Sequence, residues 1–271
     1  MDDAAATDCE LQGLGVLVTR AAHQAAPLCR LIGAHGGRAI PFPALEITGP
    51  RDRAGALRLL AGTFDIMIFI SPNAVHRGLP LLPGGRPPAG TRVAAVGRGS
   101  ARALAAAGVP VALVPGGRYD SEALLALPAL ARLEGKRVLI VRGEGGRALL
   151  GETLAARGAQ VRYAEVYRRR CPRADAAPLV ARWRQEVALV TATSNAILEN
   201  LFQLLGGRGA GLLRETPLLV VSPRMRERAR ALGCRRLLLA RRADDKAILE
   251  AICDWHAGSR AGTGGTHAGR G

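Results

Sequence analysis

The chain repeats itself. VLVTR at residues 16–20 returns as VLIVR at residues 138–142, a shift of 122. The same shift carries Ser71 onto Thr193, Asn73 onto Asn195, and Ala74-Val75 onto Ala196-Ile197. Further on, Val96-Gly97 matches Val221-Ser222, and the helix start at Asp120 matches Asp244. The slightly larger offsets there are what small loop insertions produce. A duplication on this scale requires two halves of similar fold, each of about 120 residues.

What each half folds into is clearest in residues 135–170. The run RVLIV is the continuous apolar segment of a strand buried on both faces. It enters Arg142-Gly143-Glu144-Gly145-Gly146-Arg147, then a helix of good formers over 148–156, then Gly158 and an alternating strand from Gln160 that ends in three arginines. The rest of the chain follows the same rhythm. Short apolar strands are expected at 16–19, 65–70, 92–96, 111–114, 187–191, 217–221 and 236–240. Helices are expected at 23–34, 52–61, 74–82, 101–107, 120–132, 174–185, 196–205, 225–232 and 244–255. Gly206 to Gly211 is expected as a loop, and residues 1–12 and 257–271 as flexible tails. Pro41 and Pro43 keep residues 38–47 out of a sheet interior, at an edge or in a connecting ribbon. Strands alternating with helices predict an α/β protein with open parallel sheets.

In open α/β sheets, ligands sit beyond the C-terminal ends of the strands. The residues expected there are Arg20, Ser71, Asn73, Gly97, Ser100, Arg142, Gly143, Arg147, Thr193, Asn195, Ser222 and Arg224. Most stand where a helix begins, and the free N–H groups of a first turn favour anions. Helix capping explains Ser71, Asn73, Thr193 and Asn195 one at a time; their arrangement twice around strand ends points to a ligand. Gly143 to Gly146 forms neither a dinucleotide fingerprint nor a Walker loop.

Composition limits the alternatives. The formal charge of +16 comes almost wholly from arginine, since Lys136 and Lys246 are the only lysines. Either a composition bias or a polyanionic partner accounts for it. Four Phe, three Tyr and two Trp leave little for bases to stack on, and no helix-turn-helix or finger spacing occurs. Five cysteines without CxxC spacing suit reduced thiols in a cytosol, and neither they nor the five histidines form a metal framework. No apolar run reaches the ~18 residues of a membrane span. The acidic N-terminus lacks the order of a secretion signal, so a cytoplasmic location is expected.

The succession VLVTR, FISPNAV, AVGRGSARALAAAG, RVLIVRGEGGRALLGETLAARGAQVRYAEVYRR and VSPRMRERARALG resembles the uroporphyrinogen-III synthase family over about residues 14–255. The resemblance implies two similar flavodoxin-like α/β domains joined by a two-stranded antiparallel ribbon, with the chain crossing between them twice. Residues 13–37 with 172–256 would form one domain, 50–156 the other, and 38–49 with 157–171 the ribbon. It implies as substrate hydroxymethylbilane, a linear tetrapyrrole with eight carboxylates, and no cofactor. Loss of the terminal hydroxyl as water would leave a delocalised cation. Attack on the substituted carbon of the last ring would give a spiro intermediate that fragments and recloses with that ring inverted. Tyr167 stands where the family has its important tyrosine. A phenol, protonated near neutrality, could donate to the departing hydroxyl as a general acid. Ser100 and Ser222 correspond by motif position, although Ser222 stands where glycine is more usual. A monomer is expected, with neither nucleic acid nor membrane as partner. A non-catalytic two-lobed anion-binding or sensory module on the same scaffold is the alternative.

Overall fold

The structure, a computed structural model, describes residues 9–117 and 120–261. The elements run β1 (Gly15–Val18), α1 (Ala22–Ala34), β2 (Arg38–Pro41), β3 (Glu46–Thr48), α2 (Arg53–Leu60), β4 (Ile66–Phe69) and α3 (Pro72–Gly78). Then come β5 (Arg92–Ala95), α4 (Arg98–Ala106), α5 (Ser121–Leu125), β6 (Arg137–Gly143), α6 (Leu149–Ala156) and β7 (Gln160–Arg170). The chain ends with α7 (Ala177–Glu186), β8 (Leu189–Ala192), α8 (Asn195–Glu215), β9 (Leu218–Val220), α9 (Pro223–Ala231), β10 (Leu237–Leu239) and α10 (Asp245–Ala261). The described chain divides into two compact units: the part up to Glu46 together with that from Cys171 onward, and Ile47–Arg170. The chain therefore passes from one unit to the other twice.

The first unit holds a sheet in the order β10-β9-β8-β1-β2, parallel throughout. Val16 and Val18 share a face with Leu189 and Leu219, and pack against Leu28 and Ile32 of α1 and Ile248 and Ile252 of α10. The second unit holds the order β3-β7-β6-β4-β5, with β7, β6, β4 and β5 parallel. A single parallel bridge from Ala94 to Leu113 extends it. Here Val138, Ile140, Ile66 and Ala94 pack against Leu124 and Leu125 of α5 and Leu150 and Leu154 of α6.

The two sheets follow one plan. Replacing β1, β2, β8, β9 and β10 by β6, β7, β4, β5 and the Leu113 bridge converts one order into the other. Each sheet combines the opening strands of one repeat with the later strands of the other. The repeat read from the sequence is thus a repeat of topology.

Several local expectations change. Gly206 (φ 62°, ψ −170°) interrupts α8, but the chain resumes as helix instead of forming a loop. Gly209 stands in that helix for packing: a Cβ there would lie 2.8 Å from the Leu205 Cβ and 2.9 Å from the Val180 Cγ2. The helix expected over 120–132 shortens to α5 and a 3-10 turn at Pro128–Leu130, because proline removes a helix N–H. The strand expected at 111–114 is reduced to the Leu113 bridge. Of the ribbon segments, β2 pairs in parallel with β1 at a sheet edge, which tolerates Pro41. Residues 160–170 form β7, parallel to β6, and β3 lies beside β7. Most of both segments thus finds ladder partners within the sheets.

The expected tails lie outside the described residues at 1–8 and 262–271. Inside them, Leu11 is a fully buried core residue and α10 continues to Ala261. Cys9 is bonded to Cys253 on α10, with the Cα atoms 5.9 Å apart, contrary to the expectation of five thiols. Burial of Leu11 and Cys253 in one cluster brings the two sulfurs together. Cys29, Cys171 and Cys234 are free.

Candidate active site

The repeat block of the second unit is built on glycines that make room for large side chains. A Cβ on Gly143 would lie 2.5 Å from the Tyr167 Cζ, and one on Gly146 2.5 Å from the Arg142 Nη2. A Cβ on Gly151 would collide with the Tyr163 hydroxyl. Glycine is required here for close approach of side chains to backbone.

Arg142 is only 7% exposed. Its Nη1 donates to the Arg147 carbonyl at 3.3 Å, and its Nε to the Gly143 carbonyl at 3.3 Å. The guanidinium also lies over the Tyr163 ring, 4.9 Å from the centroid, with a Glu165 oxygen 3.9 Å away. Expected as a ligand for carboxylates, it lies inside the 143–147 turn and holds that turn from within. Arg147 is exposed. Glu144 accepts from the Arg51 N–H at 2.6 Å and ties the turn to the approach to α2. The adjacent cleft of about 490 Å³ is lined by Arg51, Asp52, Glu144, Tyr163 and Glu165, among others. Three carboxylates on that wall make it a poor seat for a polycarboxylate.

Past the register irregularity that pairs Arg142 with Glu165 but Gly143 with Tyr167, β7 carries different chemistry. Tyr167 has no exposed surface. The Arg169 Nη2 donates to its hydroxyl at 3.0 Å, and the Ser71 Oγ lies 3.1 Å from the same oxygen. The Arg169 guanidinium lies over the phenol ring, 5.3 Å from its centroid. Ser71 is the N-cap of α3, accepting from the Ala74 N–H at 3.1 Å. Unlike Tyr167, it is only partly buried. Arg169 was absent from the sequence-derived site. The signal existed: residues i and i+2 of a strand face the same way, so the alternation in β7 places Arg169 beside Tyr167.

The same unit supplies three more of the expected residues. Asn73 is 9% and Ser100 2% exposed, in the first turns of α3 and α4, and Gly97 is the N-cap of α4. The other five belong to the first unit. Arg20 is ion-paired with Asp245, a residue the sequence reading did not consider, and its Nη2 donates to the Ala243 carbonyl at 3.4 Å. Ser222 caps α9 through the Met225 N–H at 3.3 Å, and Arg224 is exposed. Thr193 precedes the cap of α8 and is partly exposed. Ser194 makes that cap, accepting from the Ile197 N–H at 3.2 Å. Ser71 therefore corresponds to Ser194, one residue later than the sequence shift placed it. The Oδ1 of Asn195 is buried with no hydrogen-bond partner among the described residues.

Known proteins share both sequence and fold. The family model described as uroporphyrinogen-III synthase HemD matches residues 26–250. The uroporphyrinogen-III synthase of Escherichia coli K12 is 35% identical over 254 residues, covering 88% of this chain and all of that protein. That of Salmonella typhimurium LT2 is 38% identical over 246 residues, with the same coverage. Among solved structures, a mutant uroporphyrinogen III synthase of Thermus thermophilus matches with a TM-score of 0.59 at 20% identity, covering 91% of this chain and 99% of that one. The uroporphyrinogen-III synthetase of Helicobacter pylori 26695 matches with a TM-score of 0.60 at 15% identity, covering 89% and 99%. These two support the fold, and the sequence matches carry the relationship: the chain belongs to the uroporphyrinogen-III synthase family.

Proposed function

We propose that this chain closes hydroxymethylbilane to uroporphyrinogen III, releasing water and inverting the last pyrrole ring. The observation that carries the reading is the hydroxyl cluster of Ser71, Tyr167 and Arg169 in a chain of this family. Departure of a hydroxyl group needs a hydrogen-bond donor at the leaving oxygen. The cluster sets the exposed Arg169 guanidinium beside two hydroxyls.

Unassisted closure joins the two chain ends without inversion, so the protein must favour one conformation. Holding reacting ends in near-attack geometry contributes up to roughly 7–11 kcal/mol. The eight carboxylates supply the handles. Arg147 and Arg224, both exposed, are proposed to bind them through charge-assisted hydrogen bonds, with Thr193, Asn195, Ser222 and the turn at Gly97 as polar contacts. Arg142, Gly143, Asn73 and Ser100 are proposed to shape these turns from inside, and Arg20 to do so through its pair with Asp245. The reaction involves no net electron transfer, so no redox cofactor is required, and none of another kind is proposed. No helix among the described residues is long and apolar enough to cross a membrane. The proposed working state is a cytoplasmic monomer.

The test is to generate hydroxymethylbilane in situ, add the purified chain, and separate the oxidised products by chromatography. The inverted isomer should dominate. A module that only binds anions leaves the non-inverted isomer alone.

A further inference from the structure

The hydrogen bonds around Tyr167 have a direction, and it moves the substrate-facing role onto a different residue. A guanidinium can only donate. The 3.0 Å contact from the Arg169 Nη2 therefore makes the Tyr167 oxygen an acceptor. The phenol has one hydrogen of its own and no exposed surface. Among the described residues, its only other polar contact is the Ser71 Oγ at 3.1 Å. A buried O–H left without an acceptor is costly, so the phenol hydrogen points at Ser71. Ser71 then accepts twice, from Tyr167 and from the Ala74 N–H at 3.1 Å. A hydroxyl that accepts twice has its own hydrogen left to give. Ser71 is the one member of the pair of hydroxyls with exposed surface.

We infer that Ser71 is the catalytic residue that donates to the departing hydroxyl of the bilane, and that Tyr167, aligned by Arg169, is a positioning residue acting through it. This rests on the proposed synthase reaction. When the carbon–oxygen bond breaks, its electron pair leaves with oxygen. That oxygen takes the Ser71 proton and departs as water, while Ser71 takes the phenol proton. The phenolate is left against the Arg169 guanidinium. Reclosure of the macrocycle releases one proton from the last pyrrole's ring carbon, and that proton restores the phenol. Protons and electrons balance over the cycle.

The test compares Ser71→Gly, Ser71→Thr, Tyr167→Phe and the double variant Ser71→Gly/Tyr167→Phe by steady-state kinetics with isomer analysis. Glycine is a tolerated N-cap, so Ser71→Gly removes the hydroxyl while sparing the helix start. A melting curve for each variant verifies the fold. Ser71→Gly should lower kcat on the order of a hundredfold and leave KM nearly unchanged. Ser71→Thr should restore most of kcat. Tyr167→Phe should lower kcat by a smaller factor, and the double variant should be no slower than Ser71→Gly. A larger loss in Tyr167→Phe than in Ser71→Gly, or losses that multiply in the double variant, would overturn the inference and leave the synthase reading standing. Absence of the inverted isomer from the unaltered chain would overturn both.

Discussion

The ring of Tyr167 lies against the bare Cα of Gly143, in the space that a side chain at that position would occupy. The contact joins the last residue of β6 to its partner on β7, across the register irregularity between Arg142 and Gly143. It fixes where the phenol can be, and through it where Ser71 and Arg169 meet.

Gly143→Ala should therefore damage activity through the tyrosine. A Cβ placed 2.5 Å from the ring must displace it, at a stability cost of about 1–3 kcal/mol typical of overpacking. The rate loss should be about that of Tyr167→Phe, and smaller than the roughly hundredfold loss expected of Ser71→Gly. Gly33→Ala in α1 meets nothing within 4 Å and should leave activity unchanged and the melting temperature equal or higher. Parallel kinetics and melting curves check the pair.

The acid limb of stability should involve Asp65. Its carboxylate accepts from the Arg137 N–H at 2.8 Å and the Lys136 Nζ at 3.3 Å, and these bonds hold its pKa below the ordinary aspartate value. A carboxyl depressed in the folded state adds stability that is fully present above its unfolded pKa. That stability disappears as pH falls through the folded value. Asp244, lowered by the Ala247 N–H that it caps, acts in the same direction. Denaturant midpoints should hold steady above about pH 5 and fall below about pH 4. Asp65→Asn should flatten that fall.

Thiol counting checks the Cys9–Cys253 bond. Under denaturing, non-reducing conditions three thiols should react, those of Cys29, Cys171 and Cys234. In the folded protein Cys234 should be slow, because burial raises its pKa to about 11. Reduction should expose five thiols and lower stability by about 2–4 kcal/mol, the usual range for loss of a disulfide. Five thiols before reduction would contradict the bond.

Much of this was legible in the sequence because strand periodicity and the repeat are both carried by apolar residues with few alternative uses. VLV and VLI occupy equivalent central strands. The register of the repeat differs at Ser71, which aligns with Ser194 and not Thr193, because a cap is defined by the following N–H and not by residue type. Tyr167 and Ser71 were both found, but their contact spans 96 residues and depends on β7 joining the sheet. Arg142 shows the limit most clearly. A sequence shows a guanidinium beside glycines but not whether it faces outward or folds beneath its own turn. Gly146 is the clue, and it becomes readable only once the fold sets its bare Cα against the Arg142 guanidinium.

The most direct test of the central claim follows one bond. Hydroxymethylbilane carrying carbon-13 at its hydroxymethyl carbon is given to the chain, and the product is examined by carbon NMR. The label should become bonded to the carbon of the last pyrrole that previously held the chain, as ring inversion requires. A label bonded to that ring's formerly free carbon, at the rate seen without protein, would contradict the account.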